Sequence, residues 1–265
     1  LLGLLGSSLC LLLAVSGGSL DAQEPNFGRA VAVMGDDLVI GQPVNWYGPG
    51  IVYAYRANAE GGWSETVRLT APDSSRMDDF GGAVALDTWT LAVGAPRKRD
   101  GVGVVYVFQR SREDLPWEHT ATIEPPAAGD HREFGAALTI DGEELLVGSP
   151  RVNGTGVVYR YLRADGTEQG GWRLHETFAP EEGGVGRFGA ALTRGEARVL
   201  IGAPGTDEGR GAAFVLERAG HGWTAPIPLP LPNGLGERAG FGAATALEGA
   251  HAIVGGPGQG AVFAY

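Results

Sequence analysis

The sequence predicts an all-β fold, a β-propeller of four-stranded antiparallel blades. Two short motifs recur in step along the chain, with five copies each. The 45 glycines and 16 prolines are spread evenly over the 265 residues. Because glycine and proline punctuate short elements, this distribution favours many short strands over long helices. We expect five repeats of one β-sheet unit, starting near residues 27, 80, 134, 188 and 241, the last of them incomplete.

The first motif is Phe-Gly, which recurs at nearly constant spacing along the chain. Its copies are Phe27-Gly28, Phe80-Gly81, Phe134-Gly135, Phe188-Gly189 and Phe241-Gly242. The second motif is Gly-x-Pro, whose glycine follows the phenylalanine at the same offset in every copy, as from Phe80 to Gly94. Its copies run from Gly41 to Pro43, Gly94 to Pro96, Gly148 to Pro150, Gly202 to Pro204 and Gly255 to Pro257. A constant offset in successive copies indicates one structural unit repeated along the chain.

Each unit contains short apolar or alternating stretches, which are typical of strands. Strand A begins at Phe-Gly, strand B precedes Gly-x-Pro, strand C follows as at 104–108, and strand D carries a tryptophan. The tryptophans are Trp63, Trp117, Trp172 and Trp223. We interpret the tryptophans as packed between blades. The glycine after phenylalanine is interpreted as relieving crowding near the axis, and the glycine before x-Pro as allowing a turn out of strand B. A sheet that is apolar on both faces must stack on neighbours around an axis.

With these motifs the units resemble FG-GAP repeats, the blade motif of the integrin α-subunit propeller, and more closely the short form found in exported bacterial proteins. The resemblance covers residues 27–265. It implies a propeller, usually seven-bladed, that acts outside the cell. On this analogy the chain is a truncated seven-bladed propeller that stops after strand C of its fifth unit. A closed five-bladed ring is the alternative.

The start of the chain, 1–22, predicts a signal peptide whose n-region is missing. Its first part, 1–15, is an apolar run, too short for a comfortable transmembrane span, and a cleavage site follows Ala22. Cys10 leaves a lipoprotein anchor as an alternative to free secretion. We therefore expect a secreted or cell-surface protein, whose oligomeric state the sequence does not determine. The net charge of −11 argues against a nucleic-acid partner, because phosphates would be repelled.

The connections between strands A and B predict no cofactor. Calcium-binding FG-GAP blades carry an Asp-x-Asp-x-Asp-Gly loop there, which supplies the oxygen ligands that calcium requires. The corresponding turns here, such as Gly35-Asp36 and Gly142-Glu143, lack spaced carboxylates, so we predict no calcium in them.

Catalytic motifs are not evident in the sequence. The five histidines fall at different places in their units, and no Gly-x-Ser-x-Gly elbow is present. The carboxylate pairs Asp78-Asp79 and Glu181-Glu182 are interpreted as solvated loop residues. The sequence therefore predicts a chain that is not an enzyme, with no catalytic residues and no metal site.

Binding is expected in the loops between strands B and C, the most variable part of the unit, because function is often carried on loops. The candidate residues are Asn45, Trp46, Tyr47, Arg97, Lys98, Arg99, Arg151, Asn153, Asp207 and Arg210. Trp46 and Tyr47 suit a sugar or a peptide side chain, with coverage of the blade edge as the alternative. The basic run 97–99 suits an anionic polymer at the cell surface, with a solvated loop as the alternative.

These observations predict a non-catalytic exported propeller for binding, adhesion or scaffolding, with an extracellular protein or glycan as partner. The alternative is the propeller of a polysaccharide-acting hydrolase or lyase, with its site in the central channel or on a missing catalytic domain. Acidic, histidine and arginine side chains from several blades that converge in the ring of loops at the axis, within hydrogen-bonding reach, would favour the enzyme, whereas a small apolar ring there would favour binding.

Overall fold

The computed structural model describes residues 26–44, 48–127, 129–164, 171–181 and 186–265. The predicted signal peptide, residues 1–22, therefore lies outside the described residues. Within the described ranges the chain forms 20 strands in five antiparallel sheets, and each sheet is one blade. The predicted all-β propeller is confirmed.

Blade 1 contains β1 (Ala30–Met34), β2 (Asp37–Gln42), β3 (Ile51–Ala57) and β4 (Trp63–Leu69). Blade 2 contains β5 (Ala83–Leu86), β6 (Thr90–Ala95), β7 (Val104–Gln109) and β8 (Glu118–Ile123). Blade 3 contains β9 (Ala137–Asp141), β10 (Glu144–Ser149), β11 (Val157–Arg163) and β12 (Trp172–Phe178). In each of these blades the strands pair in chain order.

Blade 4 contains β13 (Ala191–Arg194), β14 (Arg198–Ala203), β15 (Ala212–Ala219), β16 (Gly222–Trp223) and β17 (Ile227–Pro228). Its outermost strand is interrupted, so β16 and β17 both pair with β15. Blade 5 contains β18 (Ala244–Glu248), β19 (His251–Gly256) and β20 (Ala261–Ala264). Strand A of each blade begins after its Phe-Gly and not at it, because that motif belongs to the junction with the preceding blade.

The glycines of the two motifs form that junction. Gly94 and Gly148 lie inside strand B, and a Cβ on either would overlap the backbone carbonyl of the Phe-Gly glycine in the next blade, Gly135 or Gly189. The interpretation of the Gly-x-Pro glycine as the start of a turn is therefore wrong. Glycine is required at this position because the backbone of the next blade passes at contact distance and leaves no room for a Cβ atom. The Phe-Gly glycine also has a left-handed φ, such as 84° at Gly135, which favours glycine.

Large aromatic side chains fill the space between blades. Phe80 and Phe134 are almost fully buried, at 1% and 0% exposure, and Trp117 packs in one cluster with Val39 and Val52 of blade 1. Trp172 and Trp223 join clusters shared with their preceding blades in the same way. The predicted packing of these tryptophans between blades is confirmed.

The innermost strands stand side by side around the axis, in the order β1, β5, β9, β13 and β18. No packing of comparable extent joins β18 to β1 within the described residues. Phe27 is 41% exposed, whereas the phenylalanines at the same position of the other blades are buried. The total number of blades in a complete ring stays a prediction.

Candidate binding site on the loop face

The two faces of the propeller differ in what they carry. The connections from strand A to B and from C to D lie on one face, which we call the turn face. The connections from B to C and from D to the next A lie on the other, which we call the loop face. Its B–C loops contain short helical turns at Lys98–Gly101, Val152–Gly154, Asp207–Gly209 and Pro257–Gln259. This is the face on which the sequence predicts binding.

The residue before each Phe-Gly has a left-handed backbone in all five units. These residues are Asn26, Asp79, Glu133, Arg187 and Gly240. Backbone hydrogen bonds hold such positions against the preceding blade: Glu133 donates to the carbonyl of Gly101, and Phe134 donates to that of Val102. Because non-glycine residues adopt this conformation at a cost, the surrounding structure must impose it. Three charged side chains are thereby placed at equivalent points of successive units.

Ion pairs connect these side chains to arginines of the B–C loops. Arg97 Nε lies 3.0 Å from a carboxylate oxygen of Asp79. Arg151 Nε lies 3.1 Å from Glu133, and Arg187 of the next unit lies 3.5 Å from the other oxygen of Glu133. Arg29 also acts electrostatically on Asp79. We call these six residues the loop-face arc: Arg29, Asp79, Arg97, Glu133, Arg151 and Arg187.

The electrostatics of the arc distinguish Asp79. Burial raises the pKa of Asp79 above its ordinary value, and the charge of Glu133 acts in the same direction, against the opposing effect of Arg97 and Arg29. Asp79 therefore holds its proton to higher pH than a free aspartate.

The arginines of the arc are accessible. The side chains of Arg97 and Arg151 are 61% and 57% exposed, and that of Arg187 is 47% exposed. Each guanidinium has five N–H donors, so one carboxylate partner leaves donors for a ligand. Both Arg97 and Arg151 were among the residues that the sequence predicted.

The rest of the predicted basic run has other surroundings. Lys98 is buried, where its Nζ lies 2.9 Å from Asp78 and 3.3 Å from Asp73. Tyr106 donates a hydrogen bond to the same Asp73, and burial together with that carboxylate raises the pKa of Tyr106. Lys98 thus anchors the loop to the blade. Arg99 remains half-exposed and lies 2.7 Å from Glu124.

The other predicted residues lie in the later loops or outside the described residues. Asn153 has a left-handed backbone and accepts a hydrogen bond from the amide of Asp130. Asp207 and Arg210 form an ion pair of 2.8 Å within their own loop. Asn45, Trp46 and Tyr47 are outside the described residues.

Sequence reasoning missed Arg29, Glu133 and Arg187 and took Asp78-Asp79 as a solvated pair. In the structure Asp78 and Asp79 have different partners, Lys98 and Arg97. A polar residue immediately before Phe-Gly in the first four units was the signal available in the sequence. Its meaning depended on the left-handed backbone, which the motif alone does not reveal.

Two further properties concern only the described part of the chain. No group of three histidine, cysteine or acidic side chains is arranged there to hold a metal ion. No helix in those ranges is long and apolar enough to cross a membrane.

Sequence and structure comparisons place the chain among known propellers. Residues 63–108 match the FG-GAP repeat family. Integrin alpha-X of Mus musculus is 27% identical over an alignment of 237 residues that covers 80% of this chain and 19% of the integrin. The chain therefore spans about a fifth of the length of that curated relative. The predicted FG-GAP and integrin α resemblance is confirmed.

Two solved glycoside hydrolases are also similar in fold. One is the exo-β-1,3-galactanase from Phanerochaete chrysosporium with β-1,3-galactotriose, at 12% identity and a TM-score of 0.51, covering 86% of this chain and 55% of the galactanase. The other is a thermostable family-43 glycoside hydrolase, at 14% identity and a TM-score of 0.45, covering 86% of this chain and 83% of that enzyme.

The prediction that the chain is not an enzyme is corrected by the galactanase. A propeller of similar fold belongs to a hydrolase there, so the propeller architecture gives no ground for excluding catalysis. The absence of familiar catalytic motifs was a weak argument, because side chains at a catalytic site come from separate blades and need not be close in sequence.

Proposed function

We propose that this chain, an integrin α-like propeller with an FG-GAP repeat, recognises an acidic extracellular polysaccharide through its loop-face arc. The observation that carries this proposal is the set of exposed arginines held beside Asp79 and Glu133 by successive blades. The likeness to integrin alpha-X supports an extracellular setting. The apolar run at residues 1–15 supports export.

The charge of the arc selects the ligand class. The chain as a whole has a net charge of −11, which repels anions from most of its surface. The loop-face arc has the opposite sign of charge, because it combines four arginines with two carboxylates. Guanidinium groups match carboxylate and sulfate oxygens in a bidentate geometry. An acidic sugar chain that crosses several blades would therefore meet one arginine after another.

The B–C loops would extend this surface outward. Asn153, Arg210 and Arg99 lie on the same face as the arc and offer polar contacts for flanking sugars. Trp46 and Tyr47, in the B–C loop of the first unit, remain proposed stacking residues for a sugar ring.

A second candidate function is hydrolysis of a glycosidic bond in such a polysaccharide. The specific observation in its favour is that Asp79 keeps its proton more readily than a free aspartate, beside the second carboxylate of Glu133. Glycosidases use two carboxyl groups, one of which protonates the leaving oxygen. In this reading Asp79 is the acid, and Glu133 is the second carboxylate, paired with Arg151 and Arg187.

The binding proposal is tested with immobilised polygalacturonate, heparin and neutral β-1,3-galactan. We expect binding to the two acidic polymers that weakens as salt is raised. Arg151→Gln and Arg187→Gln should each reduce the affinity by about threefold to tenfold, the range expected for a solvent-exposed hydrogen bond worth about 0.7 to 1.4 kcal/mol. The matched control is Arg198→Gln, an ion-paired arginine on the turn face. Equal binding to galactan, or equal loss in the control, would refute the proposal.

The hydrolysis candidate is tested on the same polymers by release of reducing ends. Asp79→Asn should abolish release while binding persists, and it should raise the melting temperature at pH 7. The sign follows from the raised pKa of Asp79, because ionisation of a carboxyl that favours its protonated form costs folding free energy as pH rises above 3.8. Release that continues in this variant, or no release from any polymer, would exclude this reading and leave the binding proposal standing.

A further inference from the structure

The outermost strand of blade 4 contains a proline-rich segment, residues 226–232, which we call the proline strip. Prolines stand at alternate positions in it: Pro226, Pro228, Pro230 and Pro232. The stretch 224–236 around them contains no charged residue. The strip lies on the rim of the propeller, because its strand is the last of the blade counted from the axis. No residue of the loop-face arc belongs to the strip, so the proposed function does not account for it.

Hydrogen bonds to β15 fix which backbone groups of the strip point outward. The strip pairs with β15 at Ile227 and Pro228, and the amide of Leu229 donates to the carbonyl of Ala213 in β15 at 2.8 Å. Along an antiparallel strand, successive residues direct their N–H and C=O groups alternately toward the partner strand and away from it. Since Leu229 faces β15, the backbone groups of Pro228 and Pro230 face outward.

The outer edge of the strip accepts hydrogen bonds at these two positions and donates none. Proline has no N–H, so Pro228 and Pro230 offer only carbonyl oxygens. The hydroxyl of Tyr265 donates a hydrogen bond of 2.6 Å to the carbonyl of Pro230. An added β-strand would bring N–H and C=O groups together, and its carbonyls would find no donor here. A partner that supplies donors alone therefore fits this edge better than a β-strand does.

The proline strip is stiff before any partner binds. Each residue of 225–232 is either a proline or the residue before a proline. The proline ring fixes φ at about −65°, and the preceding residue is restricted to extended conformations. Extended chain of this kind rises about 3.1 Å per residue, so the segment spans roughly 25 Å. A partner has little conformational freedom to remove when it binds such a segment.

Strand D has a different character in the first three blades. It carries exposed charged residues there, such as Arg68, Glu118 and Arg173. Charged side chains by themselves keep an edge strand from pairing with another chain. In blade 4 apolar side chains take their place, with Ile227 44% and Leu231 47% exposed. Protection of the edge explains the prolines but not the exposed isoleucine and leucine, whereas contact with a partner explains both.

We propose that the proline strip docks into an aromatic groove of a partner protein, whose tryptophan and tyrosine side chains pack on the prolines and donate hydrogen bonds to outward carbonyls such as that of Pro228. Aromatic and proline rings form apolar contacts without charge, which suits a segment that has none. Tyr265 makes one contact of this kind within the chain, from its hydroxyl to Pro230. The strip is separate from the loop-face arc, so either proposal can fail without the other.

The experiment titrates the protein with an isolated WW domain and with an isolated SH3 domain, both of which bind proline-rich segments in aromatic grooves. Calorimetry or chemical-shift changes in the labelled domain measure the binding. We expect saturable binding to at least one of the two domains, and we expect poly-L-proline to compete for it because it occupies the same groove. Absence of saturable binding to both domains, or binding that poly-L-proline does not displace, overturns the proposal.

Variants locate the binding on the strip. Pro228→Ala and Leu231→Ser should each weaken it about threefold to tenfold, the range that corresponds to burial of half an apolar side chain. Both positions are exposed, so both variants should fold. The matched control is Pro72→Ala, which changes an exposed proline after strand D of blade 1. Affinity unchanged in either strip variant, or reduced equally in the control, overturns the assignment.

A second measurement separates docking from protection of the edge. Pro228→Ala restores an outward N–H, which permits pairing with a second copy of the chain. Self-association of this variant, when the wild-type protein binds neither domain, would show that the prolines only protect the edge, and the proposal would then be overturned.

Discussion

Glu144 shows at the scale of one residue how neighbouring blades are connected. It is the first residue of strand B in blade 3, and its side chain is 8% exposed. Burial alone would raise the pKa of this carboxyl, but hydrogen bonds from Trp223 and Arg160 and the charge of Arg194 hold the pKa below its ordinary value. The ionised carboxylate of blade 3 thus connects to four side chains, three of which belong to blade 4.

We predict that Glu144→Gln lowers the free energy of unfolding by about 3 kcal/mol at pH 7, because it leaves buried arginines without their carboxylate. Chemical denaturation measures this, with Glu143→Gln in the adjacent turn as control. A loss below about 1 kcal/mol, or an equal loss in the control, would contradict the structure at this point.

The lowered pKa of Glu144 also sets the direction of a pH effect. Its stabilising contribution is present above pH 4.5, the ordinary pKa of glutamate, and is lost as pH falls through the lower folded value. The wild-type protein should lose stability in this acid range more steeply than Glu144→Gln. Denaturation curves between pH 3 and 7 test the slope, and parallel curves for the two proteins would exclude this role for Glu144.

At the scale of the element, the two glycine motifs together join strands A and B of one blade to the next blade. The Phe-Gly amide donates to the Gly-x-Pro carbonyl within each unit, as from Gly135 to Gly148, and the Gly-x-Pro glycine then touches the Phe-Gly glycine of the next blade, Gly189. Successive strands A and B are locked together through backbone contacts. The offset between the two motifs is constant in the sequence because this geometry is the same in every unit.

We predict that Gly148→Ala destabilises the protein by about 2 kcal/mol or more, because the new methyl group would overlap the Gly189 carbonyl and push blades 3 and 4 apart. Gly255→Ala is the matched control at the same motif position in blade 5. Its Cβ would meet Ala244 at an ordinary 3.4 Å, so the change should be nearly neutral. Melting temperatures compare the two, and an equal loss for Gly255→Ala would show that blade 5 carries a further blade in solution.

At the scale of the whole molecule, apolar side chains are exposed on the first and on the last of the five described blades. Val31 and Val33 of β1 are exposed on one side, and Ile253 and Val262 of blade 5 on the other. The equivalent surfaces of blades 2, 3 and 4 are buried against neighbours. Exposed apolar surface of this kind promotes association.

We predict that this chain self-associates as its concentration rises, and that Val33→Thr combined with Val262→Thr reduces the association without lowering the melting temperature. Light scattering after size exclusion measures the mass over a range of concentrations. A wild-type protein that stays monomeric throughout that range would show that these surfaces are covered in solution.

Much of the fold was predictable because each unit repeats the same local requirements. Phe134 and Trp117 had to be buried, and the periodicity of the strands required stacked sheets, so the number of repeats and the strand order followed from spacing alone. The candidate site was predictable only in part. The B–C loops were the right elements, and Arg97 and Arg151 lie in the loop-face arc. Lys98, however, is buried in an ion pair that the sequence pattern of the loop does not predict.

The sequence by itself determined the architecture, since glycine, proline and aromatic residues act through local geometry and burial, which a repeat displays directly. The tertiary structure alone decided which side chains meet. Glu133 joins Arg151 and Arg187 because a left-handed backbone places it between two units. Contacts between blades join residues that are distant in sequence, so no spacing within one unit encodes them.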